Sequence, residues 1–158
     1  MADARKTGPP PGLVLGGGSL LNQVGRELAT AADRRLAPAG VTAQQAALLL
    51  HASRGQRTPS QLMTLLGTDT AGMTKLLDRL AAKGLIERER HPTDRRAVLI
   101  ALTGQGRALL PRIRPAFGHV TGQLLAGFTH EEIIQLTGML ERMLGNLRDA
   151  SPGTASRP

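Results

Sequence analysis

Small, polar and charged side chains recur at helical spacing between residues 70 and 83, opposite an apolar face formed by Met73, Leu76, Leu77 and Leu80. Small side chains let a helix backbone approach a DNA groove, and threonine, lysine and aspartate can contact base edges or phosphates. An ordinary solvated helix face is the alternative interpretation. The candidate contacts on this helix are Thr70, Ala71, Thr74, Lys75, Asp78 and Arg79.

A second basic group follows in the turn-rich segment 91–96, between two strand-like segments, 86–90 and 97–102. This pattern is typical of a β-hairpin. An arginine at its tip can enter the narrow, electronegative minor groove, and Asp94 would hold a neighbouring arginine by a charge-assisted hydrogen bond. A solvated hairpin tip is the alternative. The candidate contacts here are Arg88, Arg90, Asp94, Arg95 and Arg96.

A short capped helix stands before the polar helix and would position it. Thr58 is a cap residue, Pro59 occupies the first helical position, and Gln61 completes a capping box. Gly67 can adopt the left-handed conformation that ends this helix, and Asp69 can cap the next one. A turn of three residues therefore separates two helices, which predicts a helix-turn-helix.

Three motifs lie along this region: Leu80-x-x-Lys83-Gly84-Leu85-Ile86, Asp94-Arg95-Arg96 and Leu102-Thr103-x-x-Gly106. Together they resemble the MarR-type winged helix-turn-helix regulators over about residues 19–147. The resemblance implies a mainly α fold with a small β-hairpin wing and helical dimerisation elements from both termini. It implies a homodimer that reads a pseudo-palindromic operator in double-stranded DNA, with residues 70–83 in the major groove. Arg96 would then enter the minor groove, with Asp94 as its support.

The flanking segments complete the predicted organisation. Ile133, Leu136, Leu140 and Met143 belong to a C-terminal apolar stripe that needs a partner surface, and the surplus of helices predicts a dimer interface. Intramolecular packing is the alternative. The predicted parts are a flexible tail (1–18), a single domain (19–147) with dimerisation helices (19–36 and 104–147) around a winged helix-turn-helix (about 42–103), and a second flexible tail (148–158).

Composition favours duplex DNA as the partner. The net charge is +8, and residues 88–114 alone hold seven arginines against two carboxylates, a net charge of +5. Such a stripe binds phosphates with strong salt dependence. Two phenylalanines, with no tyrosine or tryptophan, argue against an RNA or single-strand platform based on stacking. No apolar run has the length of a membrane span, which predicts a cytoplasmic protein.

The sequence says less about a ligand or metal that could regulate the protein than it says about DNA. The absence of cysteine excludes disulfides and thiolate metal sites, and no cofactor is predicted. His119, His130 and Glu131 are candidates for a regulatory zinc site, although no metal-binding spacing is present. The resemblance also implies a small-molecule effector. Pro111 and Pro115 predict a kink or an interruption in the helix that starts near Gly104.

Two other functions remain open at this point. One is a winged-helix dimerisation module of an enzyme, although no glycine-rich nucleotide loop follows a strand and no nucleophile motif is present. The other is an architectural DNA binder without sequence preference. The preferred prediction is a DNA-binding regulator that is not an enzyme, and a repressor rather than an activator, because a dimer on a promoter blocks polymerase without further parts.

Overall fold

The computed structural model of the chain describes residues 11–55, 57–94 and 96–149. A two-stranded antiparallel hairpin lies between the fourth and fifth of its helices. The described part of the chain divides into two compact units, with the boundary between Val120 and Thr121. The described elements in chain order are α1 (Pro11–Leu36), a 3-10 turn (Ala37–Ala39), α2 (Ala43–Ala52), α3 (Pro59–Leu66), α4 (Thr70–Ala82), β1 (Ile86–Arg90), β2 (Val98–Leu102), α5 (Gly104–Leu124) and α6 (His130–Asp149).

The core of the first unit collects apolar side chains from every one of its helices and from the hairpin. The four apolar residues of α4 that the spacing assigned to one face are all buried. Burial of this kind contributes most of the stability of a small domain. The largest fully buried side chains are Leu36, Leu48, Leu49, Leu62, Met73, Leu80, Ile100 and Ile113.

The helix boundaries follow the predicted capping signals. The Thr58 hydroxyl accepts from the Gln61 amide at 3.3 Å, and the Gln61 side chain accepts from the Thr58 amide at 2.9 Å. Gly67 ends α3 with a φ of 59°. The Asp69 carboxylate then accepts from the Gly72 amide at 2.6 Å and begins α4. These contacts confirm the helix-turn-helix and its three-residue turn.

The hairpin pairs Ile86 with Leu102 and Arg90 with Val98, so the predicted wing is present. The β2 strand begins at Val98, one residue later than expected, because Ala97 belongs to the turn. The Ile100 amide also donates to the Arg57 carbonyl at 2.8 Å. This bridge fastens the loop before α3 to the inner strand of the wing.

Three further predicted features differ from the structure. The helix expected from residue 19 begins at Pro11, so the segment 11–18 is helical rather than a flexible tail. Glycine disfavours a helix, but extending an existing helix needs no new nucleus, and proline suits its first position. The helix α5 spans Pro111 and Pro115 without the interruption that was one of the two predicted outcomes there, and the other outcome, a kink, stays a prediction. At the other end, α6 continues to Asp149, so residues 148–149 are helical rather than part of a flexible tail. The outer parts of the predicted tails, residues 1–10 and 150–158, lie outside the described residues.

The second unit contains the end of α5 and all of α6. Thr129 and Glu132 form a capping box at the start of α6, with the Glu132 carboxylate accepting from the Thr129 amide at 2.8 Å. None of the residues of α6 is buried within the chain, and Leu140, Met143 and Leu144 are exposed. The predicted apolar stripe is therefore uncovered in the single chain. In the described ranges, no helix has the length and apolar character needed to cross a membrane.

Candidate nucleic-acid interface

The outward face of α4 carries the predicted contacts in an accessible arrangement. Thr74 folds its hydroxyl back onto the Thr70 carbonyl at 2.9 Å, so its proton is used within the helix and its oxygen remains an acceptor. Lys75 and Arg79 extend from the same helix. The residues of this face, all of them exposed, are Thr70, Ala71, Thr74, Lys75, Asp78 and Arg79.

A glycine in the first turn of α4 allows the helix-turn-helix to close tightly. A Cβ atom at Gly72 would lie 2.5 Å from the Thr68 hydroxyl oxygen and 3.0 Å from an Asp69 carboxylate oxygen. The same glycine donates its amide to Asp69. A side chain at position 72 would therefore require the Thr68 hydroxyl to rotate away and would crowd the Asp69 cap.

An ion pair joins the recognition helix to the wing. Arg88 Nη2 on β1 lies 2.6 Å from Asp78 Oδ1 on α4, and the two side chains are 50% and 59% exposed. Both residues were predicted as DNA contacts, but their pairing was not predicted. An exposed pair of this kind contributes about 0.2–1 kcal/mol to stability.

The wing tip is ordered by Asp94 and His91. The Asp94 carboxylate accepts from the backbone amide of Arg96 at 2.9 Å, and His91 Nδ1 accepts from the Asp94 amide at 3.2 Å. Asp94 therefore supports Arg96 through its main chain rather than through the predicted bond to its guanidinium, while the alternative bond to the Arg95 guanidinium stays a prediction. The Arg96 side chain is exposed. Arg95 lies outside the described residues.

The predicted DNA contacts that lie within the described residues carry a net positive charge. Their cationic side chains number five, and Asp78 and Asp94 are the two anionic ones, which leaves a net charge of +3 in each protomer. Arg88 and Arg90 are both exposed on β1. A surface of this charge attracts a polyanion and exchanges its counterions for phosphates.

Lys83 is a positioning residue that sequence reasoning did not single out. At the end of α4, its ammonium group donates to the Gly40 carbonyl at 2.6 Å and to the Gln45 side chain at 3.1 Å. Gln45 is buried, and the same side-chain oxygen accepts from the Thr42 amide in the capping box of α2. Lys83 thus ties the recognition helix to the junction between α1 and α2. Its place in the Lys83-Gly84-Leu85 motif was the only signal in the sequence.

The proposed zinc ligands do not form a metal site in the described part of the chain. No group of three or more His, Asp or Glu side chains there is arranged to hold a metal ion. His119 is instead hydrogen-bonded through Nε2 to the guanidinium of Arg35. His130 and Glu131 occupy the first turn of α6.

A cleft of about 180 Å³ lies between α2 and α5 in the first unit. Desolvation lowers the pKa of His51 there, and the positive charges of Arg54 and Arg57 lower it further. The imidazole is therefore neutral near pH 7, and Arg54 supplies the positive charge. Such a lining suits an apolar or aromatic group that carries an anionic substituent. The lining residues are Ala47, Leu50, His51, Arg54 and Phe117.

A capped helix-turn-helix followed by a hairpin wing defines the winged helix-turn-helix class of proteins. Residues 39–97 match the model of the MarR family. The multiple antibiotic resistance protein MarR of Salmonella typhimurium is 33% identical over 129 residues, which are 80% of this chain and 90% of that protein. The chain belongs to the MarR family.

Solved structures agree with this assignment. A mutant MarR from E. coli complexed with operator DNA has a TM-score of 0.75 at 28% identity, covering 87% of this chain and 99% of that one. CouR from Rhodococcus jostii RHA1, bound to p-coumaroyl-CoA, has a TM-score of 0.77 at 26% identity, covering 85% and 95%. The predicted family and fold class are confirmed. Because this family consists of transcriptional regulators, the chain is not an enzyme.

Proposed function

We propose that the chain regulates transcription by binding a pseudo-palindromic operator in double-stranded DNA as a homodimer. The observation that carries this proposal is the exposed cationic surface formed by α4 and the wing. The fold is that of a groove reader, with one helix for the major groove and a hairpin beside it for the minor groove. Its relative MarR from E. coli is solved in complex with operator DNA.

The side chains divide by chemistry into base readers and phosphate contacts. Ala71 and Thr74 are small enough to let α4 enter the groove, where a methyl group or a hydroxyl oxygen meets a base edge. Arg96 enters the minor groove from the ordered wing tip, and Arg95 next to it is proposed from the sequence alone. The remaining cations contact phosphates: Lys75, Arg79, Arg88 and Arg90.

The dimer is proposed from uncovered apolar side chains in the terminal helices. Leu20, Leu21 and Val24 of α1 are exposed in the single chain, as are Leu140 and Leu144 of α6. Apolar surface on this scale in helices at both ends of a chain is typical of an interface between copies. Two symmetric readers then face two half-sites about one helical turn apart.

Regulation is proposed to be repression that a small molecule relieves or modifies. The cleft that contains Arg54 and Phe117 suits an anionic aromatic or acyl compound, and the relative CouR is solved with p-coumaroyl-CoA. A ligand there would contact α2 and α5, and so would change the packing that supports the reader helices. Because a DNA-binding regulator must be in the same compartment as its DNA, we propose a cytoplasmic location.

The test is binding to the DNA upstream of the chain's own gene, measured by gel shift at two salt concentrations against an unrelated duplex of equal length. We expect preference for the upstream DNA and a strong loss of affinity at higher salt. Equal affinity for both duplexes would identify an architectural binder, and no binding would refute the proposal. Light scattering after gel filtration is expected to give the mass of a dimer at micromolar concentration.

A further inference from the structure

Asp78 is the one carboxylate among the described candidates on the outward face of α4. It lies on the helix that would enter the groove, where the phosphates of DNA repel a negative charge. Its contact is Arg88 Nη2 at 2.6 Å, and both side chains are half exposed. An exposed ion pair contributes little to folding, so its contribution to stability is a poor explanation for a carboxylate in this place.

The geometry leaves Arg88 able to bind a phosphate while it holds Asp78. A guanidinium has five N–H donors, and the contact with Asp78 uses a single nitrogen, Nη2. Because Arg88 is on β1 and Asp78 is on α4, the pair fixes the guanidinium at the seam between the recognition helix and the wing. A side chain ordered before binding loses less conformational entropy when the phosphate arrives.

We propose that Asp78 is a specificity-determining residue that acts through Arg88. On the correct operator, the guanidinium that Asp78 holds meets a phosphate with its remaining N–H donors. On a duplex that seats poorly, Asp78 keeps this guanidinium away from the nearest phosphates, so the ion pair adds no attraction and the complex is weaker. This inference rests on the proposed function, and it adds to that function a residue that selects against wrong sequences.

Asp78 has one other chemical use at this position, because a carboxylate can accept a hydrogen bond directly from the N4 amino group of cytosine. In that case Asp78 would read a base whether or not Arg88 is present. In the proposed role, its effect on specificity depends on the Arg88 guanidinium. A double-mutant cycle separates the two uses.

The experiment measures the affinity of the full-length dimer for two duplexes by fluorescence anisotropy. One duplex is the operator fragment recovered from genomic DNA with the wild-type protein, and the other is an unrelated duplex of equal length. The variants are Asp78→Asn, Arg88→Gln and the double variant. Glu87→Gln is the matched control, because Glu87 is exposed on β1, points to the opposite face of the strand from Arg88, and changes the net charge by the same amount.

We expect Asp78→Asn to bind the unrelated duplex more tightly and to lower the ratio of operator to unrelated affinity on the order of tenfold, the scale of one charged hydrogen bond. Glu87→Gln should change both affinities in equal proportion. In the Arg88→Gln background, the Asp78 substitution should leave the ratio unchanged. The urea midpoint of Asp78→Asn should stay near that of the wild type, which excludes loss of folding as the cause.

Two results overturn the inference while the proposed function stands. One is an Asp78→Asn ratio equal to that of the wild type or of Glu87→Gln. The other is a loss of specificity that persists without Arg88, which would make Asp78 a direct base reader. A wild-type protein that does not distinguish the two duplexes would overturn both the inference and the proposed function.

Discussion

Replacing Gly106 by alanine tests the close approach of α5 to the base of the wing. A Cβ atom at position 106 would lie 2.1 Å from the Leu85 carbonyl oxygen and 3.1 Å from the Leu85 carbonyl carbon. Ordinary contacts are longer, so the two segments would have to separate by about 1 Å. The Leu85 carbonyl also accepts from the Thr103 amide at 3.2 Å, and the Thr103 hydroxyl donates to the Gly84 carbonyl at 2.6 Å. Movement of Leu85 would therefore strain both contacts.

The expected loss of stability follows from three contributions. Overpacking of a close backbone contact costs about 1–3 kcal/mol. Weakening one backbone hydrogen bond costs roughly a further 1 kcal/mol. Alanine favours a helix over glycine by about 1 kcal/mol, which offsets part of the loss. We expect the free energy of unfolding of Gly106→Ala to fall by roughly 1–3 kcal/mol.

The assay is urea unfolding at one fixed protomer concentration, since the stability of a dimer depends on concentration. Gly104→Ala is the control, because position 104 begins the same helix and a Cβ atom there meets nothing within 4 Å. It should leave stability unchanged or raise it by a few tenths of a kcal/mol. If Gly106→Ala were as stable as Gly104→Ala, the close approach of α5 to Leu85 would be wrong.

Three further predictions concern binding and pH. Arg96→Ala should weaken operator binding by roughly 1–3 kcal/mol in gel-shift titrations, through loss of a groove contact, and unaltered affinity would show that the wing is assigned wrongly. Lys75→Ala should reduce the slope of log affinity against log salt by about one for each protomer, and an unchanged slope would exclude a phosphate contact. Because the pKa of His51 is lowered from its ordinary value of 6.5, the folded chain binds fewer protons than the unfolded chain at mildly acidic pH. Its stability should therefore fall as the pH drops from about 6.5 through the lowered pKa, in urea titrations at several pH values. His51→Gln should flatten that dependence, and an unchanged profile would contradict the lowered pKa of the imidazole.

Much of the fold was predictable because its signals are local. The Thr58 and Gln61 capping box, the left-handed Gly67 and the Asp69 cap each act within about four residues along the chain, where helix geometry leaves few alternatives. The buried face of α4 was predictable for the same reason, since residues three and four apart must lie together. These features determine a helix-turn-helix before any tertiary contact is known.

The site residues were predicted in part from the chemistry of their side chains and in part from the periodicity of the helix. Side chains on the outward face of α4 could be identified because the apolar face was already assigned. The role of Asp94 was only partly predictable, since a carboxylate beside two arginines has several donors in reach and the sequence does not rank them. The structure has Asp94 accept from the Arg96 backbone amide, a local contact that fixes the turn of the hairpin.

Tertiary structure alone decided which distant residues meet. The pairing of Asp78 with Arg88, the bridge from Arg57 to Ile100 and the approach of Gly106 to Leu85 all join different elements. Their geometry depends on how the elements pack, and a change of packing angle within the usual scatter moves a side chain enough to break a hydrogen bond. The sequence by itself therefore determined the reading helix and its wing, while the fold decided how the two are held at a fixed angle for a DNA duplex.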